Sequence, residues 1–308
     1  MNTATSTPFQ IITPTDFLDR VEIDELSDAL RATVPGEYCR LSDGITRYEV
    51  QGPEDGPVII MIPGATGPFM VFDPLMKPLA DAGFRVVRFD LYGRGYSDRP
   101  KVDYNGDLFN RQMFELVEAL NLKGPLNIIG MAFGAVIGLL LADKYPERVN
   151  SLCFIAPDGL DVKLSLGLKL SLRFPFIGEL LFRRAGDRIL LPRLLEYTEN
   201  VAFIDTLKQA FLPSWRIKGF RYGLLSSIRH IPVHAAQAYY ERLNKTGKPV
   251  KIVWGDKDEI TPFSSAVKMK QIMPNAEFET LEGCGHCPQF EKPDLVSDVI
   301  VDFMRRVT

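Results

Sequence analysis

The sequence predicts an α/β fold in which a doubly wound, mainly parallel sheet of eight strands carries an inserted helical region. Two observations predict this fold. Short apolar runs alternate with helical patterns along most of the 308-residue chain, which is typical of a parallel sheet covered on both faces. Residues 158–245 interrupt the alternation without a clear strand, which indicates an insertion between two core strands.

Eight apolar runs predict the strands, and the first two are joined by Ser42-Asp43-Gly44, a hairpin signal that indicates an antiparallel edge. The predicted strands are Glu37–Leu41, Ile45–Val50, Pro57–Ile62, Phe84–Phe89, Leu126–Ile129, Leu152–Ile155, Val250–Trp254 and Glu277–Thr280. Helical patterns fill the intervals at 72–82, 107–122, 134–145, 263–272 and 293–306.

The same patterns divide the chain into three parts. Residues 1–35 carry apolar residues at helical spacing and end at Pro35-Gly36, which predicts an N-terminal helical appendage. Residues 36–157 and 246–308 form the predicted core. Residues 158–245 read as short helices broken by prolines and glycines, and we interpret them as a helical cap, or lid, over the core.

Composition narrows the possible functions. A net charge of −3 gives no reason to expect nucleic acid as a partner. The chain starts without a secretory signal pattern and has no uncharged apolar run of about 18 residues, so we expect a cytoplasmic protein. Cys284 and Cys287 enclose His286, but a zinc site would need a second ligand pair. We therefore expect neither a metal nor another cofactor.

The loop after the strand Leu126–Ile129 has the spacing of a nucleophile elbow, G-x-S-x-G. Gly130 and Gly134 flank Ala132 at two residues on either side. A turn that projects a nucleophile brings strand and helix so close that only small residues fit around it. The sequence therefore predicts an elbow in which alanine occupies the nucleophile position.

Two further loops supply an acid and a base. Asp256 and Asp258 follow the strand Val250–Trp254, and His286 lies in a glycine-rich loop after the last strand. Taken singly, acids before a helix cap it, and a loop histidine is most often solvated. The chain order of elbow, aspartate and histidine favours a catalytic group instead.

With these motifs, the sequence resembles the α/β-hydrolase superfamily over residues 37–306. The motifs that carry the resemblance are Pro63-Gly64, Asp90–Pro100 (D-x-x-G-x-G-x-S-x-x-P), Gly130–Gly134, Gly255–Pro262 and Gly283–Pro288. We interpret Asp90–Pro100 as a structural turn in which Asp90 binds backbone groups. The resemblance implies a hydrolase with a Ser-His-Asp triad and a helical lid after the sixth strand.

The resemblance also assigns roles. His286 would act as the general base and Asp258 would orient it, with Asp256 and Asp158 as alternative acids. Backbone N–H groups of Ala65 and Phe133 would form the oxyanion hole. The chain departs from the usual family pattern in having Pro63 before Gly64 and Ala132 in the nucleophile position.

Alanine cannot attack a carbonyl carbon, and three hypotheses explain Ala132. The chain is an engineered, inactive Ser→Ala variant of a serine hydrolase, a natural non-catalytic relative that acts as a ligand-binding or interaction protein, or a lyase or oxygenase that uses only His286 and Asp258. The first is preferred because both elbow glycines, the acid and the base all persist.

The expected substrate is a carboxylic ester or lactone of a hydrophobic compound, and hydrolysis of a carbon–carbon bond is the alternative. Candidate pocket residues are mainly apolar: Phe69, Met70, Met131, Leu160, Trp215, Phe220 and Tyr222. Leucines and phenylalanines alternate with lysines and arginines between residues 163 and 191. This pattern favours a cap that packs on the core, and it leaves peripheral lipid contact and a homodimer as possibilities.

Overall fold

The computed structural model of the chain describes residue 22, residues 24–160 and residues 200–308, together with scattered positions between 161 and 199. The strands are β1 (Glu37–Leu41), β2 (Gly44–Gln51), β3 (Val58–Ile62), β4 (Arg85–Phe89), β5 (Leu126–Met131), β6 (Val149–Ile155), β7 (Val250–Gly255) and β8 (Glu277–Leu281). They form one eight-stranded sheet in the order β1-β2-β4-β3-β5-β6-β7-β8.

The sheet is antiparallel at one edge and parallel elsewhere. β1 pairs with β2, and β2 with β4, in the antiparallel sense, whereas all pairs from β4 through β8 are parallel. Every residue of β3 and β5 is buried, as the continuous apolar runs require. The expected fold class is therefore confirmed.

The helices fall into groups that pack separately. They are α1 (Asp28–Arg31), α2 (Asp73–Asp81), α3 (Gly106–Ala119), α4 (Phe133–Lys144), α5 (Val201–Trp215), α6 (Phe220–His230), α7 (Gln237–Lys245), α8 (Phe263–Ile272), α9 (Pro288–Glu291) and α10 (Pro293–Val307). α2 contacts α10, while α4 contacts α3 and α7. Two such groups are expected where helices cover both faces of a sheet.

The expected N-terminal helical appendage lies mostly outside the described residues and stays a prediction. Residues 1–21 lie outside the described part of the chain, and the described part holds a single helical turn, α1, capped by Ser27. Asp24 forms a parallel bridge with Ile217, because its N–H donates to Arg216 O (3.1 Å) and its carbonyl accepts from Lys218 N (2.9 Å). Because the N–H and the carbonyl of Asp24 bind the cap, they cannot form the backbone hydrogen bonds of a helix.

The expected cap contributes α5, α6 and α7. Most of the stretch between residues 163 and 191, on which peripheral lipid contact depends, lies outside the described residues, so that contact stays a prediction, as does a homodimer. None of the described helices is both long enough and apolar enough to cross a membrane.

Candidate active site

The turn between β5 and α4 holds Ala132 in a conformation that residues with a β-carbon rarely adopt, φ 47° and ψ −112°. Three backbone hydrogen bonds fix it. Its N–H donates to Ile155 O (2.9 Å), and its carbonyl accepts from Ala135 N (3.0 Å) and Asp158 N (3.2 Å). The turn is therefore bound both to its own helix and to the end of β6.

Glycines allow this turn to form. A β-carbon at Gly134 would lie 2.0 Å from Ile62 O, and one at Gly130 would lie 2.6 Å from the Cα of Ala135. Real β-carbons do not approach backbone atoms so closely, so both positions require glycine. The β-carbon position of Gly64 lies 3.9 Å from the β-carbon of Ala132, which places the turn after β3 directly beside the elbow.

Two backbone donors are open at this point. Phe133 is the first residue of α4, where an N–H has no partner within its helix. Within the described residues, no acceptor lies on the N–H of Phe133 or on that of Ala65. The structure thus places Phe133 directly after Ala132, at the start of α4, and Ala65 in the turn beside the elbow, and both N–H groups are available to a ligand.

His286 and Asp258 form a buried pair. The Nδ1 atom of His286 lies 2.9 Å from Oδ2 of Asp258, and both side chains are almost fully buried. Asp258 Oδ1 accepts hydrogen bonds from Ile260 N and Thr261 N, each at 2.9 Å. A carboxylate only accepts, so the imidazole donates from Nδ1 and keeps Nε2 as its basic nitrogen.

The other expected acids make different contacts. Asp256 Oδ1 accepts from Gly283 N (2.7 Å) and so ties the loop after β7 to the loop after β8. The backbone of Asp158 binds the elbow and the hydroxyl of Tyr240, which donates to Asp158 O at 2.7 Å. Asp258 is the carboxylate hydrogen-bonded to the imidazole.

Thr261 is a site residue that the sequence patterns did not indicate. Its hydroxyl lies 2.7 Å from Asp258 Oδ2 and 3.3 Å from both His286 Nδ1 and Ala156 O. These contacts connect the acid to the end of β6. Only its position three residues after Asp258 could have suggested the contact.

Arg94 is a second such residue. It is fully buried, its Nε donates to Ala65 O (2.9 Å), and its guanidinium carbon lies 5.4 Å from the ring centre of Phe133. Burial lowers its pKa to about 10, so it is charged at neutral pH. A charged guanidinium therefore contacts both residues that are expected to form the oxyanion hole. In the same loop, Asp90 accepts from Phe69 N and Tyr96 N (2.7 and 2.9 Å), which confirms the expected structural turn.

The candidate pocket residues separate into groups. Trp215 and Phe220 stack with ring centres 5.6 Å apart, and Trp215 Nε1 donates to Thr66 O (2.7 Å), so this pair lies against the turn after β3. Met131 precedes the elbow and is buried, as is Leu160 after β6, and Met70 is half-buried.

Two expected pocket residues are held elsewhere. The ring of Phe69 lies beside two guanidinium carbons, 4.1 Å from that of Arg47 and 4.4 Å from that of Arg88. Tyr222 donates from its hydroxyl to Val102 O (3.2 Å). These contacts hold the ring of Phe69 between two arginines and the hydroxyl of Tyr222 on a backbone carbonyl, and a place for both in the substrate pocket stays a prediction.

The cysteines near the site are free thiols. Burial raises the pKa of Cys287 well above its ordinary value, and that of Cys153 to about 12. Neutral thiols are poor nucleophiles and poor metal ligands. Among the described residues, no three His, Cys, Asp or Glu side chains lie close enough to hold a metal ion.

Comparison with known proteins places this geometry in a family. A family model described as alpha/beta hydrolase fold matches residues 57–293. The chain is 24% identical to human monoacylglycerol lipase, over 84% of this chain and 79% of the lipase. It is 25% identical to 2-hydroxy-6-oxo-6-phenylhexa-2,4-dienoate hydrolase of Comamonas testosteroni, over 86% of this chain and 93% of that protein.

Among solved structures, the fold is similar to that of the enol-lactonase from Burkholderia xenovorans. The TM-score is 0.73 and the identity 17%, with 87% of this chain and all of the lactonase covered. Identity this low shows a shared fold alone. The family model, however, spans most of the chain and includes the elbow, the acid loop and the histidine loop. The chain belongs to the alpha/beta hydrolase family.

Proposed function

We propose that this chain is the nucleophile-less form of a serine hydrolase that cleaves carboxylic esters or lactones of hydrophobic compounds. The observation that carries the proposal is the backbone at Ala132, φ 47° and ψ −112°. Strain of this kind costs roughly 1–3 kcal/mol and persists where function uses it. An elbow built to present a reactive side chain, in a chain that also carries a buried His286–Asp258 pair, is the arrangement expected of a hydrolase whose hydroxyl has been removed.

With serine at position 132, the reaction follows from the contacts described above. The hydroxyl attacks the carbonyl carbon while Nε2 of His286 takes its proton, and the imidazole later returns that proton to the leaving alcohol. Asp258 holds the donating Nδ1 and stabilises the charged imidazole that forms. Water then repeats the sequence on the acyl-enzyme and releases the carboxylic acid.

The oxyanion that forms in each step would accept from the N–H groups of Ala65 and Phe133. Such a donor contributes about 3–4 kcal/mol to the transition state when it is fixed in advance. Arg94 supports both donor residues, because it donates a hydrogen bond to Ala65 O and packs against the ring of Phe133.

Three aromatic side chains beside the turn after β3 favour a hydrophobic, uncharged substrate. Tyr197, Phe211 and Trp215 lie next to this turn and carry no charge, while the guanidinium of Arg94, which also contacts the turn, is bound by backbone carbonyls of Ala65, Tyr92 and Gly223. An acyl or alcohol group held among aromatic rings gains from apolar burial without the cost of an unpaired ion.

The decisive experiment is to restore the hydroxyl. We expect Ala132→Ser to hydrolyse members of a panel of p-nitrophenyl esters and aryl lactones, with kcat on the order of 10³-fold or more above the unaltered chain. The matched control is Ala132→Ser combined with His286→Gln, which keeps the hydroxyl but removes the base. A folded Ala132→Ser protein that cleaves nothing in the panel would overturn the proposal and favour a ligand-binding relative.

Carbon–carbon bond hydrolysis is the second candidate, because 25% identity extends over 93% of the Comamonas dienoate hydrolase. The same serine, imidazole and oxyanion donors serve that reaction. A dienoate carries a carboxylate, which would call for a cationic partner in the pocket. Decay of dienoate absorbance with Ala132→Ser, together with no turnover of esters, would favour this candidate.

A further inference from the structure

Tyr197 connects the histidine loop to the turn after β3. It lies shortly before α5, and its backbone carbonyl accepts from His286 N at 2.9 Å. Its hydroxyl lies 3.0 Å from Oγ1 of Thr66, the residue that follows Ala65. Tyr197, which is half-buried, therefore contacts both the loop that carries His286 and the turn that carries Ala65.

The tyrosine ring is also packed against the base. Its plane is nearly perpendicular to the imidazole of His286, at 86°, with ring centres 5.0 Å apart, and Phe211 contacts it at 5.9 Å. A β-carbon at Gly285 would lie 2.6 Å from Tyr197 O. The histidine loop is thus pressed against Tyr197, and the ring restricts rotation of the imidazole.

The turn after β3 is held by the same part of the chain. Thr66 O accepts from Trp215 Nε1 at 2.7 Å, and a β-carbon at Gly67 would lie 2.6 Å from the ring of Phe211. Tyr197, Phe211 and Trp215 therefore form one face that covers this turn. Tyr197 also contacts His286, through its ring and through its backbone carbonyl.

We propose that Tyr197 is a positioning residue for hydrolysis, which fixes the imidazole of His286 relative to the turn that carries Ala65. Its kinetic consequences rest on the proposed function. If so, catalysis depends on a specific contact between Tyr197 and the core, and not only on exclusion of water from the site.

The kinetic test uses the Ala132→Ser background. Tyr197→Phe removes only the hydrogen bond to Thr66, and Tyr197→Ala also removes the ring from the imidazole. We expect kcat to fall roughly 3- to 10-fold in the first and roughly 100-fold in the second, since small misplacements of reacting groups have effects of this size. KM should change by less than about 3-fold, because the substrate's ground-state contacts remain.

Two variants serve as controls. Thr66→Val removes the same hydrogen bond from the other side, so the double variant with Tyr197→Phe should lose no more activity than either single variant. Tyr48→Phe removes a comparable tyrosine hydrogen bond, to Glu37 at 2.8 Å in the edge hairpin, and should leave kcat unchanged.

A second test needs no hydrolysis and uses the chain with Ala132. The protein has only three histidines, so the Nδ1–H proton of His286 is assignable by NMR in protein labelled with ¹⁵N-histidine. We expect a slowly exchanging signal from its hydrogen bond to Asp258. Tyr197→Phe should retain this signal, and Tyr197→Ala should broaden or abolish it as the imidazole becomes mobile.

The outcomes separate the two proposals. An unchanged Nδ1–H signal and an unchanged kcat in Tyr197→Ala would overturn the positioning role, as would a rise in KM with kcat constant, which would indicate substrate contact instead. If the signal responds as expected while no Ala132→Ser protein hydrolyses any substrate, the proposed function fails and the positioning role stands. If Tyr197→Ala does not fold, the comparison of Tyr197→Phe, Thr66→Val and their double variant tests the positioning role. A kcat that none of these three variants lowers would then overturn it.

Discussion

At the scale of single residues, the elbow shows how backbone strain and side-chain size are linked. Ala132 keeps a positive φ because hydrogen bonds from α4 and from the end of β6 fix its peptide groups. Gly130 and Gly134 make room for β3 and α4 at van der Waals distance. Within the elbow the strain lies at Ala132, and the surrounding contacts maintain it.

Ala132→Gly should therefore stabilise the protein. Relief of roughly 1–3 kcal/mol of strain exceeds the 0.5–1 kcal/mol that glycine costs through chain entropy, which leaves a gain of about 1 kcal/mol. Urea denaturation measures this gain in the free energy of unfolding, and the m-value should be unchanged. The control is Ala142→Gly in α4, where helical backbone predicts a loss of stability. A loss at position 132 as large as at 142 would show that the elbow is not strained.

Thr261 supports the acid, and its removal should be costly. Thr261→Val keeps the shape of the side chain but leaves Asp258 Oδ2 without the 2.7 Å hydrogen bond. Hydrogen bonds to charged groups contribute about 1.5–3 kcal/mol, so we expect a loss of about 2 kcal/mol in denaturant unfolding at pH 7. Thr261→Ser keeps the hydroxyl, so its free energy of unfolding should fall clearly less than that of Thr261→Val. Equal losses would assign the effect to packing of the methyl group.

At the scale of elements, the N-terminal segment joins the cap to the core. Asp24 binds the backbone between α5 and α6, and Glu22 Oε1 accepts from Arg221 N (2.7 Å) in the first turn of α6. On the core side, Arg31 pairs with Asp98, and its Nη1 lies 3.1 Å from Asp28. A segment with these contacts holds two elements that are far apart in sequence.

Arg31→Met should release this segment. The Arg31 side chain is only 8% exposed while Asp98 is 31% exposed, so loss of the pair should cost about 1–2 kcal/mol, below the value for a fully buried pair. Limited proteolysis should also cleave faster on the N-terminal side of α1. Lys77→Met, which breaks an exposed pair with Asp81, should alter neither quantity measurably. An unaltered cleavage rate in Arg31→Met would contradict the role of this segment.

At the scale of the whole molecule, the described cap and the core share backbone as well as side-chain hydrogen bonds. His286 N donates to Tyr197 O (2.9 Å), Asp158 N donates to Ala132 O (3.2 Å), and Trp215 Nε1 donates to Thr66 O (2.7 Å). Such contacts leave no separable interface between two independent units. We therefore expect cap and core to unfold together.

The two tryptophans test this expectation, because Trp215 lies in α5 of the cap and Trp254 in β7 of the core. Single-tryptophan proteins, made with Trp254→Phe or Trp215→Phe, should each show a fluorescence transition that coincides with the circular-dichroism transition in urea. The fluorescence and circular-dichroism transitions are compared within the same protein, so any loss of stability caused by the tryptophan substitution affects both equally. A Trp215 transition at a lower urea concentration than that of circular dichroism would show that the cap unfolds first.

The sequence by itself determined the features that depend on short stretches of chain. Eight strands, most helices and the elbow glycines follow from local patterns, because a buried strand needs a continuous apolar run and a tight turn needs glycine. The predicted strand ends differ little from the observed ones; β6 differs most, since it begins at Val149 and not at Leu152.

Only the tertiary structure decided how distant segments combine. Asp256 and Asp258 both follow β7, and the choice between them depends on which carboxylate meets a loop 28 residues further along. Tyr197 belongs to a helical region whose sequence gives no sign of a contact with Thr66, 131 residues earlier. Hydrogen bonds between such segments form where the folded chain brings donor and acceptor together, and no local pattern encodes that distance.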